Sequence, residues 1–274
     1  MANVCDYVKW RGDISLEQSK FNEIDNLILS RFSYFPFDKI IKENEVVTIK
    51  ELSERFKKQD IRKLPILWKD DVDLFPLMGE SERFGKLLAT KYINKIDQEQ
   101  EKQFAAITVL MPDNTIFVSY RGTDNTIVGW KEDLNMSFKS HIASQISAKK
   151  YLEIIAQEYP DKKIRIGGHS KGGNVAVYAA TFVNKEIKDR IPEGLEFELS
   201  DNPNWTMLDD GTIVTDELKD TLLQPGESAE VTIVLKWINS ETNMGVKINV
   251  AEICKDYNDY GTPDIDSTPD NNVP

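Results

Sequence analysis

Residues 163–181 read KIRIGGHSKGGNVAVYAAT. The β-branched run at 163–166 predicts a strand, the glycines after it predict a sharp turn, and 174–181 is typical of a helix. Residues 168–172, GHSKG, match the pattern G-x-S-x-G. In that pattern a serine stands at the tip of a tight strand-to-helix turn, and glycines flank it because side chains there would collide. The sequence therefore predicts a nucleophile elbow at Ser170, and the alternative is a glycine-rich turn with an ordinary serine cap.

Charge divides the chain of 274 residues, which is long enough for one large domain or two smaller ones. From Ile191 to Pro274 there are 18 acidic and 4 basic residues, whereas 28 acidic and 30 basic residues precede them. The apolar pattern changes at the same place, from helix-rich to strand and turn. Both signals predict a domain boundary near Arg190, and the acidic second part argues against nucleic acid as a partner.

The chain start has no apolar segment typical of a secretory signal, and no run is long enough to span a bilayer. We therefore expect a cytoplasmic protein without a membrane span. The two cysteines, Cys5 and Cys254, lie far apart in sequence and are predicted to be free thiols. The only histidines are His141 and His169, so we expect no metal site, and we expect no other cofactor.

Apolar spacing predicts the elements that precede the elbow. Helices are predicted at 21–32, 48–58, 80–92 and 147–158, and strands at 104–111 and 115–120 joined by a turn at 112–114. Strands and helices of this kind around a serine elbow are typical of an α/β-hydrolase sheet. Several aromatic side chains could line an acyl pocket, although ordinary core packing is the favoured interpretation: Tyr34, Phe35, Phe37, Trp68 and Phe75.

A longer pattern carries a family resemblance. Residues 118–134, VSYRGTDNTIVGWKEDL, followed by GHSKGG, resemble the pattern of class 3 lipases. Residues 1–190 are still more similar to a bacterial family of Mbeg-like proteins with a lipase-type α/β-hydrolase fold. The resemblance implies that Ser170 is the nucleophile. It also implies that Thr123 and the backbone N–H of Lys171 are the two oxyanion donors.

Alternatives remain open for these side chains. The Thr123 hydroxyl could instead satisfy its own turn, and Asp133 is better interpreted as a structural hydrogen-bond acceptor or a helix-start carboxylate. Lys171 stands where lipases usually have leucine, so we expect a more polar site mouth and a site less suited to lipid.

The general base is the main departure from the lipase pattern. In these folds the triad follows the order Ser, acid, His, and no histidine follows Ser170 in the sequence. His169 adjoins the serine and should point away, Lys171 has the same problem, and His141 precedes the elbow. We therefore expect a lipase- or esterase-like serine hydrolase, acting on a small-molecule or lipid ester through an acyl-enzyme but impaired in activity. The alternative is an inactive pseudo-hydrolase or fusion product with a binding or structural role.

The remainder of the chain predicts a different architecture. Short strands at 195–199, 229–238 and 245–253, with turns at 201–204 and 209–212, resemble the Ig-like repeat of Gram-positive surface proteins. We expect a truncated hydrolase-like α/β domain over 1–190, an incomplete β-sandwich over 191–258 and a disordered acidic tail over 259–274. The same features raise the hypothesis that the chain is a joined or truncated product.

Overall fold

The structure is a computed structural model. It describes residues 2–42, 44–191, 195–208, 213–219, 221–222 and 228–237, with only the backbone of 195, 196 and 237. The described residues separate into two compact units, 2–191 and 195–237. The first unit contains helices and a sheet, and the second contains short strands. The change in the local sequence pattern near residue 190 explains this difference.

The elements follow one another in this order. The helices are α1 Val4–Arg11, α2 Glu23–Phe32, α3 Ile49–Lys57, α4 Asp71–Glu80, α5 Ile127–Asn135, α6 Ala143–Glu158, α7 Lys171–Phe182 and α8 Lys185–Lys188. The strands are β1 Val47–Thr48, β2 Leu88–Asp97, β3 Lys102–Leu110, β4 Thr115–Tyr120, β5 Lys163–Gly168, β6 Leu195–Phe197, β7 Trp205–Met207, β8 Ile213–Thr215 and β9 Leu235–Trp237.

The first unit is built on a five-stranded mixed sheet in the order β1-β2-β3-β4-β5. Strands β1 to β4 pair antiparallel, and the predicted hairpin of β3 and β4 is confirmed, with Ala106 opposite Tyr120. Strand β5 pairs parallel to β4, with Gly168 opposite Tyr120. Because both strands therefore end at the same edge of the sheet, the loops that follow them lie side by side there.

Helices cover both faces of this sheet. Ile107, Val109 and Phe117 point into a core with α1 to α4, whereas Val118 and Tyr120 point into a second core with α6 and α7. All six residues of β4 are buried. A strand covered on both faces reads as a continuous apolar run rather than an alternating one, which is the pattern seen in the sequence of β3 and β4.

The predicted helix at 80–92 is wrong. Helix α4 ends at Glu80, and the chain turns before entering β2 at Leu88. Arg83 holds this turn: its guanidinium is fully buried, forms an ion pair with Asp25 and donates to the carbonyl oxygens of Ile14, Ser19 and Lys20. A helical continuation would remove these partners from a buried charge, which is far more costly than the local preference for helix.

The other predicted helices are displaced rather than absent. The helix predicted at 147–158 starts one turn earlier, at Ala143, because the Gln145 side chain accepts from the backbone N–H of Ile142 and caps it. The helix after the elbow begins immediately at Lys171. Of the two cysteines, Cys5 is a free buried thiol, and Cys254 lies outside the described residues.

The second unit contains two short antiparallel pairs, β6 with β9 and β7 with β8. Among the described residues 229–237 of the strand predicted at 229–238, ladder hydrogen bonds are made by Leu235–Trp237. The residues before it are held by side chains instead: Asn202 bonds both backbone groups of Val234, and the indole of Trp205 donates to the Thr232 carbonyl. The incomplete β-sandwich stays a prediction, since the turn at 209–212, the strand at 245–253 and the tail at 259–274 lie outside the described residues.

Among the helices of the described ranges, none combines the length and the apolar character needed to cross a bilayer.

Candidate active site

Ser170 stands at the junction of β5 and α7, at the edge where β4 also ends. Its backbone has φ 58° and ψ −130°, a conformation that costs a non-glycine residue about 1–3 kcal/mol. The residue is exposed, and no hydrogen bond to its hydroxyl occurs within the part of the chain that the structure describes. The strained turn therefore presents an accessible, unpartnered hydroxyl.

The two glycines of the elbow are sterically required, as the motif predicts. A Cβ on Gly168 would lie 2.3 Å from the carbonyl carbon of Gly172. A Cβ on Gly172 would lie 2.3 Å from the Tyr120 carbonyl oxygen and 2.8 Å from the Gly122 nitrogen. The elbow thus packs backbone against backbone on the loop that follows β4.

Two backbone N–H groups face no partner at this edge. Thr123 lies in the loop after β4, and Lys171 is the first residue of α7. Neither backbone N–H donates a hydrogen bond to any described residue. The Thr123 hydroxyl donates to Asp133 Oδ2 at 2.5 Å. The hydroxyl of Thr123 is therefore engaged with Asp133 rather than with the backbone of its own turn.

Tyr34 links the two loops. Its hydroxyl accepts from the backbone N–H of Gly122 at 2.9 Å and donates to the carbonyl oxygen of His169 at 3.0 Å. Burial raises the pKa of Tyr34 to about 12, so the hydroxyl stays protonated and able to donate across the whole neutral range. Sequence analysis considered Tyr34 only as pocket or core, and no local signal indicates this bridge because its two partners lie far away in sequence.

The Lys171 side chain does not reach the site mouth, so the expectation of a more polar mouth is wrong. It is 1% exposed, and Nζ contacts Glu132 Oε2 at 2.7 Å, Gln103 Oε1 at 2.8 Å and the Gln103 carbonyl oxygen at 3.0 Å. Glu132 is equally buried. Sequence analysis missed Glu132, although a lysine at a position typical of an apolar residue signals a buried acidic partner elsewhere in the chain.

Neither histidine bonds the serine. The ring of His169 packs edge-on against Trp68, with centroids 5.3 Å apart, and lies 6.2 Å from the ring of Tyr34. His141 is exposed, and its Nδ1 lies 3.2 Å from the Ser140 hydroxyl. It lines a cleft of about 360 Å³ that Ser170 does not line.

Only two of the five predicted pocket aromatics lie beside the elbow. Phe35, Phe37 and Phe75 are at most 1% exposed and belong to the core that the sheet forms with α1 to α4. Tyr34 and Trp68 contact each other, with ring centroids 4.6 Å apart, and both lie near His169. The core-packing interpretation is therefore confirmed for Phe35, Phe37 and Phe75. An acyl pocket stays a prediction for Tyr34 and Trp68.

The Trp68 ring contacts Arg31, which forms an ion pair with Asp71. The Arg31 guanidinium carbon lies 4.7 Å from the centre of the Trp68 ring, and Arg31 Nε donates to Asp71 Oδ1 at 2.6 Å. Burial raises the pKa of Asp71 to about 6, which outweighs the opposing effect of Arg31. Asp71 therefore titrates within the experimentally accessible range.

We expect Asp71→Asn to flatten the pH dependence of stability. The carboxyl is protonated more readily folded than unfolded, so its contribution favours folding below about pH 4 and is lost as pH rises to about 6. Two pKa units correspond to about 3 kcal/mol. In urea unfolding, the stability of the wild type relative to the variant should fall by about this amount between about pH 4 and pH 7. Parallel curves for the two proteins would contradict the assignment.

Within the described ranges, no group of three or more His, Cys, Asp or Glu side chains is arranged to hold a metal ion.

The family model described as Mbeg1-like matches residues 78–208. No match was found among curated proteins or among solved structures. The motifs predict a resemblance over residues 1–190, whereas the matched range begins at residue 78 and continues past Arg190 to residue 208. The domain boundary near Arg190 stays a prediction. Residues 78–208, which hold the elbow, Thr123, Glu132 and Lys171, are therefore similar to the Mbeg1-like family.

Proposed function

We propose that the chain is a serine hydrolase of lipase or esterase type with Ser170 as its nucleophile. The Ser170 hydroxyl oxygen attacks the carbonyl carbon of a small-molecule or lipid ester, and the ester C–O bond breaks. The serine proton passes to the leaving oxygen, so that an alcohol departs as the acyl-enzyme forms. Water then hydrolyses the acyl-enzyme. The oxyanion of each tetrahedral intermediate is bound by the backbone N–H groups of Thr123 and Lys171.

The observation that carries this proposal is the backbone of Ser170. A serine at φ 58° and ψ −130° is strained, and such strain persists only where surrounding structure enforces it. Here a side chain at Gly168 or Gly172 would collide with neighbouring backbone, so the turn is closely packed on both sides of Ser170. The Ser170 hydroxyl has no hydrogen-bond partner among the described residues. Two unpartnered N–H groups beside an exposed nucleophile are the arrangement that acyl transfer requires.

The proposed activity is slow because the hydroxyl lacks a base. General-base assistance contributes about 10²–10⁴-fold in rate, and none of the described side chains accepts a proton from Ser170. The same observation favours a second candidate: an inactive pseudo-hydrolase with a binding or structural role. The two candidates make different predictions for covalent chemistry at Ser170.

The test is covalent labelling of the full chain by a fluorophosphonate, followed by peptide mapping. The Ser170 oxygen forms a bond to the phosphorus of the probe, and fluoride leaves with the serine proton. The reaction requires both a reactive hydroxyl and oxyanion donors. We expect slow modification at Ser170 in the wild type and none in Ser170→Ala, with unchanged circular dichroism in both. A folded wild type that resists the probe over hours would favour the pseudo-hydrolase.

A further inference from the structure

One of the two proposed oxyanion donors, Lys171, also forms a buried ion pair through its side chain. Glu132 in α5 and Lys171 in α7 are each 1% exposed, and every proton of the lysine ammonium has an acceptor. The carboxylate is equally well satisfied: it also accepts from the backbone N–H of Gln103 in β3 and of Ser144 in α6. One carboxylate therefore joins four elements of the first unit.

Stability alone does not explain a lysine here. A positive charge at the first position of α7 opposes the helix dipole, and burying it requires a paired acid. Apolar residues of similar volume would often stabilise such a site as well or better. What an ion pair provides instead is a fixed geometry between the elements that it joins.

The geometry that this pair fixes is that of the two proposed oxyanion donors. Glu132 holds Lys171, whose backbone N–H is one donor, and the next residue, Asp133, holds Thr123, whose N–H is the other. Adjacent residues of one helix thus contact the side chains of both donor residues. A shift of α5 would move both donors, and loss of either contact would release one of them.

We infer that Glu132 and the Lys171 side chain form a positioning bracket, which sets the separation between the N–H groups of Thr123 and Lys171. Neither side chain touches the substrate. This inference rests on the proposed function for its catalytic consequence, but the bracket itself is a statement about local order. It can therefore be tested with and without chemistry at Ser170.

Two variants of the full chain test the bracket. Glu132→Gln keeps the size but removes the charge, and the double variant Glu132→Gln/Lys171→Met removes both charges together with the tether. The single variant leaves a buried ammonium without its counter-charge, so its thermal midpoint should fall, and the double variant should recover much of that loss. A matched control is Asp25→Asn, which removes the negative charge of the similarly buried pair with Arg83; neither side chain of that pair bonds to Thr123 or Lys171.

The first readout is hydrogen exchange measured by mass spectrometry. In the segments around 122–124 and 170–173, the hydrogen-bonded amides are those of Gly122, Gly172 and Gly173. We expect these amides to exchange at least tenfold faster in both bracket variants, including the double variant after its thermal midpoint has recovered. In Asp25→Asn these two segments should exchange at the wild-type rate. Unchanged exchange in the double variant would overturn the bracket whether or not the protein reacts with any substrate.

The second readout is the rate of fluorophosphonate labelling at Ser170. Misplacing one oxyanion donor should slow labelling about tenfold or more in both bracket variants and leave Asp25→Asn near the wild-type rate. Two results would overturn the positioning role. One is a labelling rate that follows the thermal midpoint across all three variants; the other is a labelling rate that stays unchanged when hydrogen exchange becomes faster. An unlabelled wild type with the expected exchange pattern would reject the proposed hydrolase and retain the bracket.

Discussion

Gly172→Ala should strongly destabilise the protein. The added Cβ would lie 2.3 Å from the carbonyl oxygen of Tyr120, 2.8 Å from the nitrogen of Gly122 and 3.0 Å from the carbonyl carbon of Arg121. All three are backbone atoms at the end of β4, so no side-chain rotation relieves the contact. Overpacking of this kind typically costs up to about 3 kcal/mol, occasionally more, and here the strand edge itself must move.

The neighbouring glycine is the matched control. A Cβ on Gly173 would have its nearest neighbour, the Gly168 carbonyl oxygen, at 3.3 Å, and the next at 3.9 Å. Alanine is also favoured over glycine inside a helix by about 1 kcal/mol. We therefore expect Gly173→Ala to stay within about 1 kcal/mol of the wild type.

Urea unfolding monitored by circular dichroism measures both variants. Because one methyl group is added to adjacent residues of the same helix, the comparison isolates contact with the loop after β4. Equal free energies of unfolding for Gly172→Ala and Gly173→Ala would show that the elbow does not pack against this loop as described.

The elbow was predictable because its determinants are local. A β-branched strand, four glycines and a helix-forming run occupy consecutive residues of 163–181, and each contributes its own preference. The hairpin of β3 and β4 was predictable for the same reason, since its turn lies between two apolar runs. Local sequence preferences were therefore enough to predict the β3–β4 hairpin and the turn from β5 into α7.

The parts that sequence reasoning missed depend on distant partners. The helix predicted at 80–92 failed because Arg83 is held by Asp25, which lies 58 residues away in sequence. Tyr34 bonds to Gly122 and His169, which lie 88 and 135 residues away in sequence. Lys171 pairs with Glu132, which lies 39 residues away. Local periodicity carries no information on such pairs, although a charged residue at a normally apolar position indicates that one exists.

No described side chain accepts a hydrogen bond from Ser170, and this leads to a prediction of rescue by a small molecule. Ser170 is exposed, so a base dissolved in the buffer can reach its hydroxyl without entering a closed pocket. Imidazole is the side chain of histidine and accepts a proton near neutral pH. We expect added imidazole at about 0.1 M to accelerate fluorophosphonate labelling of Ser170 about tenfold, a part of the roughly 10²–10⁴-fold that a positioned general base supplies.

The dependence of this rescue on pH and on base strength identifies its cause. Only neutral imidazole accepts a proton, so the acceleration should rise with pH in parallel with the titration of imidazole itself. Pyrazole has the same ring size but is a much weaker base, and it should have little effect; Ser170→Ala corrects for direct reaction of imidazole with the probe. If labelling is fast without imidazole and indifferent to it, then a proton acceptor already serves Ser170, and the proposed reason for slow turnover is wrong. If imidazole accelerates labelling and pyrazole does not, the elbow and its N–H donors are competent, and proton transfer is the step that they lack.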